Sequence, residues 1–169
     1  MAPSDPRLVV TSHREDGTSV FSSDQLLEPF RPFGPSASAF YNCDGRSTVP
    51  VSNQESSQDL SKTLPRCPPN GVLFAISDYP PGCDVPMHRT TSLDYAIVMY
   101  GEIVLQLDGG GEKTIKAGEC IVQGGVNHRW LNRTDEICRI AFVLVGAQKV
   151  KLESGEELEQ TVLFKKLGV

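Results

Sequence analysis

A chain of 169 residues with 39% apolar and 22% charged side chains has material for one hydrophobic core under an ordinary globular surface. Its formal net charge of -5 argues against nucleic acid or an anionic membrane as partner, since both call for a clustered basic surface. No stretch approaches the apolar length of a membrane-spanning helix and MAPSDPRLVV has no long apolar signal core, so a cytoplasmic location is expected.

In chain order, two strand-like runs, Leu8 to Thr11 and Thr18 to Ser22, flank an Asp16-Gly17 turn and predict a hairpin. His13 sits in it, as a surface residue or, if this arm folds over the rest, as a contributor to a pocket. The following stretch to residue 69 is rich in Pro, Ser and Gly, with few places for regular structure. A loop of that length acts as a lid, packs on a partner subunit or stays disordered. Phe30, Phe33, Phe40 and Tyr41 favour packing for its first half, and SNQESSQDLSK reads as solvated loop. The organisation is therefore an arm over 1–69, a β core over 70–150 and a terminal segment over 151–169.

Within the core, VLFAISDY, DYAIVMY, EIVLQLD, EKTIKA, CIVQ, HRWLN and CRIAFVLVGA are short strands separated by Gly-rich and Pro-Gly turns, the pattern of an all-β sandwich or barrel. ESGEELEQTVLFKK in the terminal segment reads as a short helix or a final strand. Five cysteines form no CxxC pair or zinc-finger spacing. Cys120 and Cys138 read as small buried hydrophobes, and Cys83 as a weak candidate for a thiol at the barrel rim.

The most informative stretch runs from Pro81 to Asn132. Gly82 is followed by CDVPM, then His88-Arg89-Thr90, TSL, Asp94, YAIVMY and Gly101; a second run has Gly118, ECIVQ, Gly124-Gly125, VN, His128, RWL and Asn132. These two glycine-bounded histidine motifs resemble those of the cupin superfamily, and MHRTTSLDY with GEIVLQLD is similar to a branch of single-domain cupins in microbial, notably fungal, small-molecule metabolism. The resemblance implies a double-stranded β-helix, or jelly-roll, barrel. It also implies a homodimer that pairs edge strands or exchanges the N-terminal arm.

A cupin metal site takes two His and a Glu from the first motif and one His from the second. Here Thr90 stands at the second His and Asp94 at the Glu, leaving at most His88, Asp94 and His128. That set can hold Fe, Zn or Mn with open positions, or serve without metal as an acid/base cluster. Period-two alternation turns Thr90, Asp94, Ala96 and Val98 inward with His88, puts His128 and Trp130 on one face, and points Arg89, Tyr95 and Arg129 away. Thr90, Trp130 and Gln106 are the candidate substrate contacts, although parity leaves Gln106 and Gln123 ambiguous. Asn132, despite its Asn-Arg-Thr context, reads as a closing turn residue.

Three functions are consistent with this site. The first is a lyase or isomerase that dehydrates, decarboxylates or tautomerises a small carbonyl or hydroxy compound of secondary metabolism. The second is an Fe(II)-dependent oxygenase. The third is a binder without turnover.

Overall fold

Period-two alternation of apolar residues and closely spaced glycines dictate strands over most of the chain, and the computed structural model, which describes residues 3–55 and 59–161, contains eleven of them. They are β1 (Arg7–His13), β2 (Ser19–Leu26), β3 (Ala39–Arg46), β4 (Val72–Tyr79), β5 (Asp84–Arg89), β6 (Ser92–Tyr100), β7 (Glu102–Leu107), β8 (Glu112–Lys116), β9 (Cys120–Gly124), β10 (Asn127–Leu131) and β11 (Cys138–Gly146). No helix occurs among the described residues.

The first two strands form the expected hairpin. The others make a five-stranded sheet in the order β3-β4-β11-β6-β9 and a four-stranded sheet in the order β5-β10-β7-β8. From β4 onward the chain crosses repeatedly between them, and every pairing is antiparallel. This is the double-stranded β-helix.

Two expectations are corrected. The stretch read as having few places for regular structure contains β3, which pairs along β4 with a bulge between Asn42 and Asp44. The segment read as a short helix or a final strand is irregular over 153–161: a bridge between Lys151 and Glu157 closes around Gly155, whose φ of 87° no right-handed helix accepts. Residues 162–166 of that run lie outside the described residues.

Inward side chains of both sheets, among them Ala96, Val98, Ile103 and Ile140, fill one end of the sandwich. Each fully buried aliphatic side chain contributes about 1.5–3 kcal/mol. Trp130 spans the layers, packing its edge against Phe142 at 6.1 Å and tilting over Tyr79 at 6.2 Å. Gly101 makes the tight turn from β6 to β7 at φ 71°, and a Cβ there would stand 2.5 Å from the Ile137 carbonyl oxygen. Asn132 closes the second motif by donating to the carbonyls of Tyr79 and Glu136, so its amide is consumed by the turn.

Part of the outer face of the large sheet is covered by the chain itself. Leu8 and Leu27 pack on Tyr41, Cys43 and Ile76. Alongside, Arg139 holds Asp78 in a bidentate pair at 2.6 and 2.7 Å, donates to the Ser4 carbonyl at 2.6 Å and lies over the Tyr41 ring. The Tyr41 hydroxyl stands 3.0 Å from Asp5, so the N-terminal residues are tied down at a buried charge pair.

Candidate active site

Two cross-strand pairs, one from each sheet, face each other at the open end of the sandwich. On the small sheet His88 of β5 lies directly opposite His128 of β10; on the large sheet Asp94 of β6 lies directly opposite Gln123 of β9. Strand pairing brings each pair within side-chain reach. The imidazoles stack with centroids 4.2 Å apart, and Gln123 crosses the gap between the sheets.

The hydrogen bonds assign the protons. His88 Nδ1 is 2.8 Å from the Pro86 carbonyl and His128 Nδ1 is 3.1 Å from that of Val126. A carbonyl only accepts, so both rings carry their proton on Nδ1 and a lone pair on Nε2. Gln123 Nε2 lies 3.1 Å from His128 Nε2 and 3.4 Å from Asp94 Oδ2, two acceptors, so its amide donates to both. The His128 lone pair is thereby capped. Asp94 Oδ1 and Gln123 Oε1 are buried without a hydrogen-bond partner.

Burial sets the charge states. Desolvation, reinforced by neighbouring His88 and partly offset by the Val126 bond, pushes His128 down to about 3. His88 is lowered by the same desolvation against the bond to Pro86. Both rings are therefore neutral at neutral pH. Asp94 is raised, because desolvation outweighs the pull of Ser92 and Gln123. No ion pair with a cationic side chain is found for it among the described residues, which favours its protonated form.

The pairs line a cavity of about 600 Å³ whose other walls are largely apolar, with Tyr79, Trp130 and Phe142 at its base. Phe33 and Phe40 of the arm and Leu64 and Pro65 of the next loop close over one side, so the arm packs on its own barrel. Gln160 and Thr161 close the other. Thr161 exchanges hydrogen bonds with the Arg89 backbone, donating from its amide and accepting at its hydroxyl, both at 3.0 Å.

His88, Asp94, His128, Thr90 and Trp130 thus lie around one space. Gln106 does not. It lies opposite Arg129 in the β10–β7 register and hydrogen-bonds Glu112 and Arg129 on the outside of the small sheet. Gln123, the other glutamine of ambiguous parity, occupies the interior instead.

Arg89 also departs from expectation. Its guanidinium donates to the Gly125 carbonyl at 2.5 Å and lines the cavity mouth. Tyr95 and Arg129 point away, the latter paired with Asp84. His13 is exposed on β1 and is not part of the cavity wall. Cys83 lines the cavity but burial, with Asp84 nearby, pushes its thiol up to about 11, which leaves it protonated and poorly nucleophilic. Cys138 is buried as expected, whereas Cys120 is exposed, since Gln123 turns inward and odd-even parity turns Cys120 and Val122 out.

The expected metal ligands are not brought together as a ligand set. Among the described residues no three His, Cys, Asp or Glu side chains are grouped to hold a metal ion. Gln123 sits between Asp94 and His128 and places an N–H on the His128 lone pair that a metal would need. As placed, the residues fit an acid/base constellation and not a three-ligand centre.

Comparison with known proteins places these features in context. The model of the cupin domain matches residues 75–146, which include all four residues of the two pairs. Phomopsin biosynthesis cluster protein D of Diaporthe leptostromiformis is 35% identical over 88% of this chain and 82% of its own length. Oryzines biosynthesis cluster protein J of Aspergillus oryzae is 30% identical over 90% of this chain and 89% of its own. A cupin-domain-containing oxidoreductase of Hypocrea virens, virC, is 31% identical over 89% and 80%. Among solved structures, the polyketide cyclase RemF of Streptomyces resistomycificus superposes with a TM-score of 0.50 over 76% of this chain and 83% of that one, at 17% identity, a likeness of fold.

Proposed function

This chain belongs to the cupin family, and on that premise we propose that it is a biosynthetic enzyme, a lyase or isomerase, that moves protons on a small, largely apolar carbonyl or hydroxy compound. The observation that carries the reading is the asymmetry of the two imidazoles. The Nε2 lone pair of His128 is capped by Gln123, whereas no cap on that of His88 is found among the described residues, and His88 lines the cavity. His88 is then the general base, and its Nδ1–H bond to Pro86 steadies the imidazolium that forms. Asp94, biased toward its protonated form, is the acid.

In the simplest step, a proton leaves the carbon next to a carbonyl for His88 Nε2. The C–H electron pair becomes the C=C bond of an enol, and the carbonyl oxygen takes the proton of Asp94. Return of a proton from the His88 imidazolium to a different carbon, with the enol proton going back to Asp94, gives tautomerisation; protonation of a β-hydroxyl by the His88 imidazolium, its loss as water and return of the enol proton to Asp94 as the carbonyl re-forms gives dehydration. Gln123 and His128 hold Asp94 in place. Their neutral dipoles and the aromatic base favour a flat, uncharged ring at the reactive end.

The test uses 2-tetralone in D2O. Quenching of Trp130, the one tryptophan of the chain, reports binding, and NMR reports deuterium entering the α-carbon. The wild type is expected to bind and to speed exchange, and His88→Gln to keep binding while losing the acceleration by about 100-fold or more. Equal exchange rates in the two proteins would refute His88 as base, and binding without exchange in the wild type would make this a ligand-binding cupin.

Relatives named as cupin-domain-containing oxidoreductases, virC of Hypocrea virens among them, favour a second, redox reading. It predicts oxidation of a substrate with consumption of dioxygen or of an added electron acceptor, a measurement independent of the exchange assay.

A further inference from the structure

The walls of the cavity divide by charge. Tyr79, Trp130 and Phe142 make an apolar base, and the groups above them carry no net charge: both imidazoles are neutral and Asp94 favours its protonated form. Asp84 lines the cavity too, but Arg129 engages it on the outer side of the small sheet. The cations of the wall are Arg66 and Arg89. Arg66 follows Leu64 and Pro65 in the loop that closes one side, and Arg89 is tied through its backbone to Thr161, which closes the other. A chain of net charge -5 thus flanks the mouth of its cavity with two arginines.

Arg89 is held in a particular pose. Its side chain is 17% exposed, and Nη1 donates to the Gly125 carbonyl at 2.5 Å. That bond fixes the guanidinium and leaves the Nε–Nη2 edge, whose parallel N–H groups match the two oxygens of a carboxylate. The one carboxylate in ion-pair range of Arg89 among the described residues, Asp108, is itself exposed and stands 4.0 Å from Nη2, outside hydrogen-bonding distance. After burial and the neighbouring His88, the Arg89 charge also helps to lower His128, so its field reaches the reactive end.

We infer that the substrate carries a carboxylate at the end remote from its reacting carbon, and that Arg89 holds it at the cavity mouth. The inference rests on the proton-transfer reading for which end of the substrate reacts. A cavity of about 600 Å³ takes a drug-sized molecule, so ring and acid fit together. The arrangement also orients the substrate. With the acid at the mouth, the ring fills the apolar base; reversed, a carboxylate would be buried against the acceptor oxygens of Asp94 and Gln123, which already lack partners.

Titration calorimetry of the full chain tests this with 2-tetralone-6-carboxylate, whose acid lies across the bicycle from the ketone, and its methyl ester. The wild type is expected to bind the acid about 20-fold more tightly than the ester. Arg89→Gln is expected to cut that preference to about 2-fold or less while the ester binds as before, and Arg89→Lys, which keeps the charge without the fork, to fall between them. Arg133→Gln removes the same charge from an exposed pair with Glu112 and is expected to keep the preference. An acid that binds no better than its ester in the wild type, or does not bind, overturns the inference. So does a preference that survives Arg89→Gln or is lost with Arg133→Gln. Binding is read without turnover, so loss of the acid preference here and loss of the proton-transfer reading in the exchange assay are separate results.

Discussion

Acid should unfold this protein through His128 before it reaches the surface carboxylates. The ring is 2% exposed, and its pKa is lowered from 6.5 to about 3, chiefly by desolvation. Because the folded value lies below the unfolded one, the unfolded chain binds more protons between them, and stability falls as the pH drops from about 6.5 toward 3. At about 1.4 kcal/mol per pH unit this one ring removes about 2 kcal/mol by pH 5 and about 5 kcal/mol by pH 3, a large part of a typical domain stability of ~5–15 kcal/mol.

His88 is lowered too and adds in the same direction. Asp94 opposes them: its folded pKa is raised, so its stability contribution is present at low pH and is lost as the pH rises through the folded value. The assay is urea unfolding at pH 7, 6 and 5 of the wild type and of His128→Gln, which stays neutral throughout while retaining an acceptor for Gln123. Subtracting the two removes the contributions they share. With an m-value of about 2 kcal/mol per molar, the wild-type midpoint should lose about 1 M more than that of the variant between pH 7 and pH 5. Parallel losses in both proteins would refute the reasoning.

Gln123→Leu strips the donor from Asp94 and His128 and leaves both acceptors buried; it should cost about 2 kcal/mol in urea unfolding and raise the Asp94 pKa further, read by carboxyl NMR titration. Arg139→Met strands Asp78 without its bidentate partner and releases the Ser4 carbonyl, for an expected loss of about 3–5 kcal/mol, whereas pairing it with Asp78→Leu should recover much of that. Gly101→Ala meets both a positive φ and the Ile137 carbonyl, and should cost at least ~2 kcal/mol in thermal unfolding without altering the residues of the site.

What could be read ahead of the structure follows from parity. Where a strand is long and cleanly alternating, as in β6, the inward set of Asp94, Ala96 and Val98 and the outward set of Tyr95, Ile97 and Met99 come directly from period two. The method fails where the alternation is disguised. CIVQ is apolar at three of four positions, so nothing local says that Gln123 faces in and Cys120 out; only its register against Asp94 does. Gln106 has the same chemistry and faces out where it was expected to face the pocket, because its facing is decided by Arg129 on a strand distant in sequence.

AFYNCDGR escaped notice for another cause. It contains a bulge and Gly45 and stands between Pro-rich segments, and it is held as a strand by β4 and not by its own propensity. Gly155 is a legible signal against a helix at the start of the terminal segment, since glycine admits the positive φ that it adopts there. The metal triad was a matter of spacing along the chain, which cannot show that an amide occupies the gap.

The hydrogen bond from Gln123 to His128 joins a strand of one sheet to a strand of the other. It spans the sandwich where His88, Asp94 and their supports meet, so their separation is set by how the two layers are docked. Neither sheet alone holds the constellation: one carries the imidazoles, the other the carboxyl group. A chain in which each sheet had formed but the layers had not yet closed would have all its strands and no chemistry, and a small slip of one layer would silence the site while leaving every strand intact. The constellation is a property of the gap between the layers and belongs to neither sheet alone.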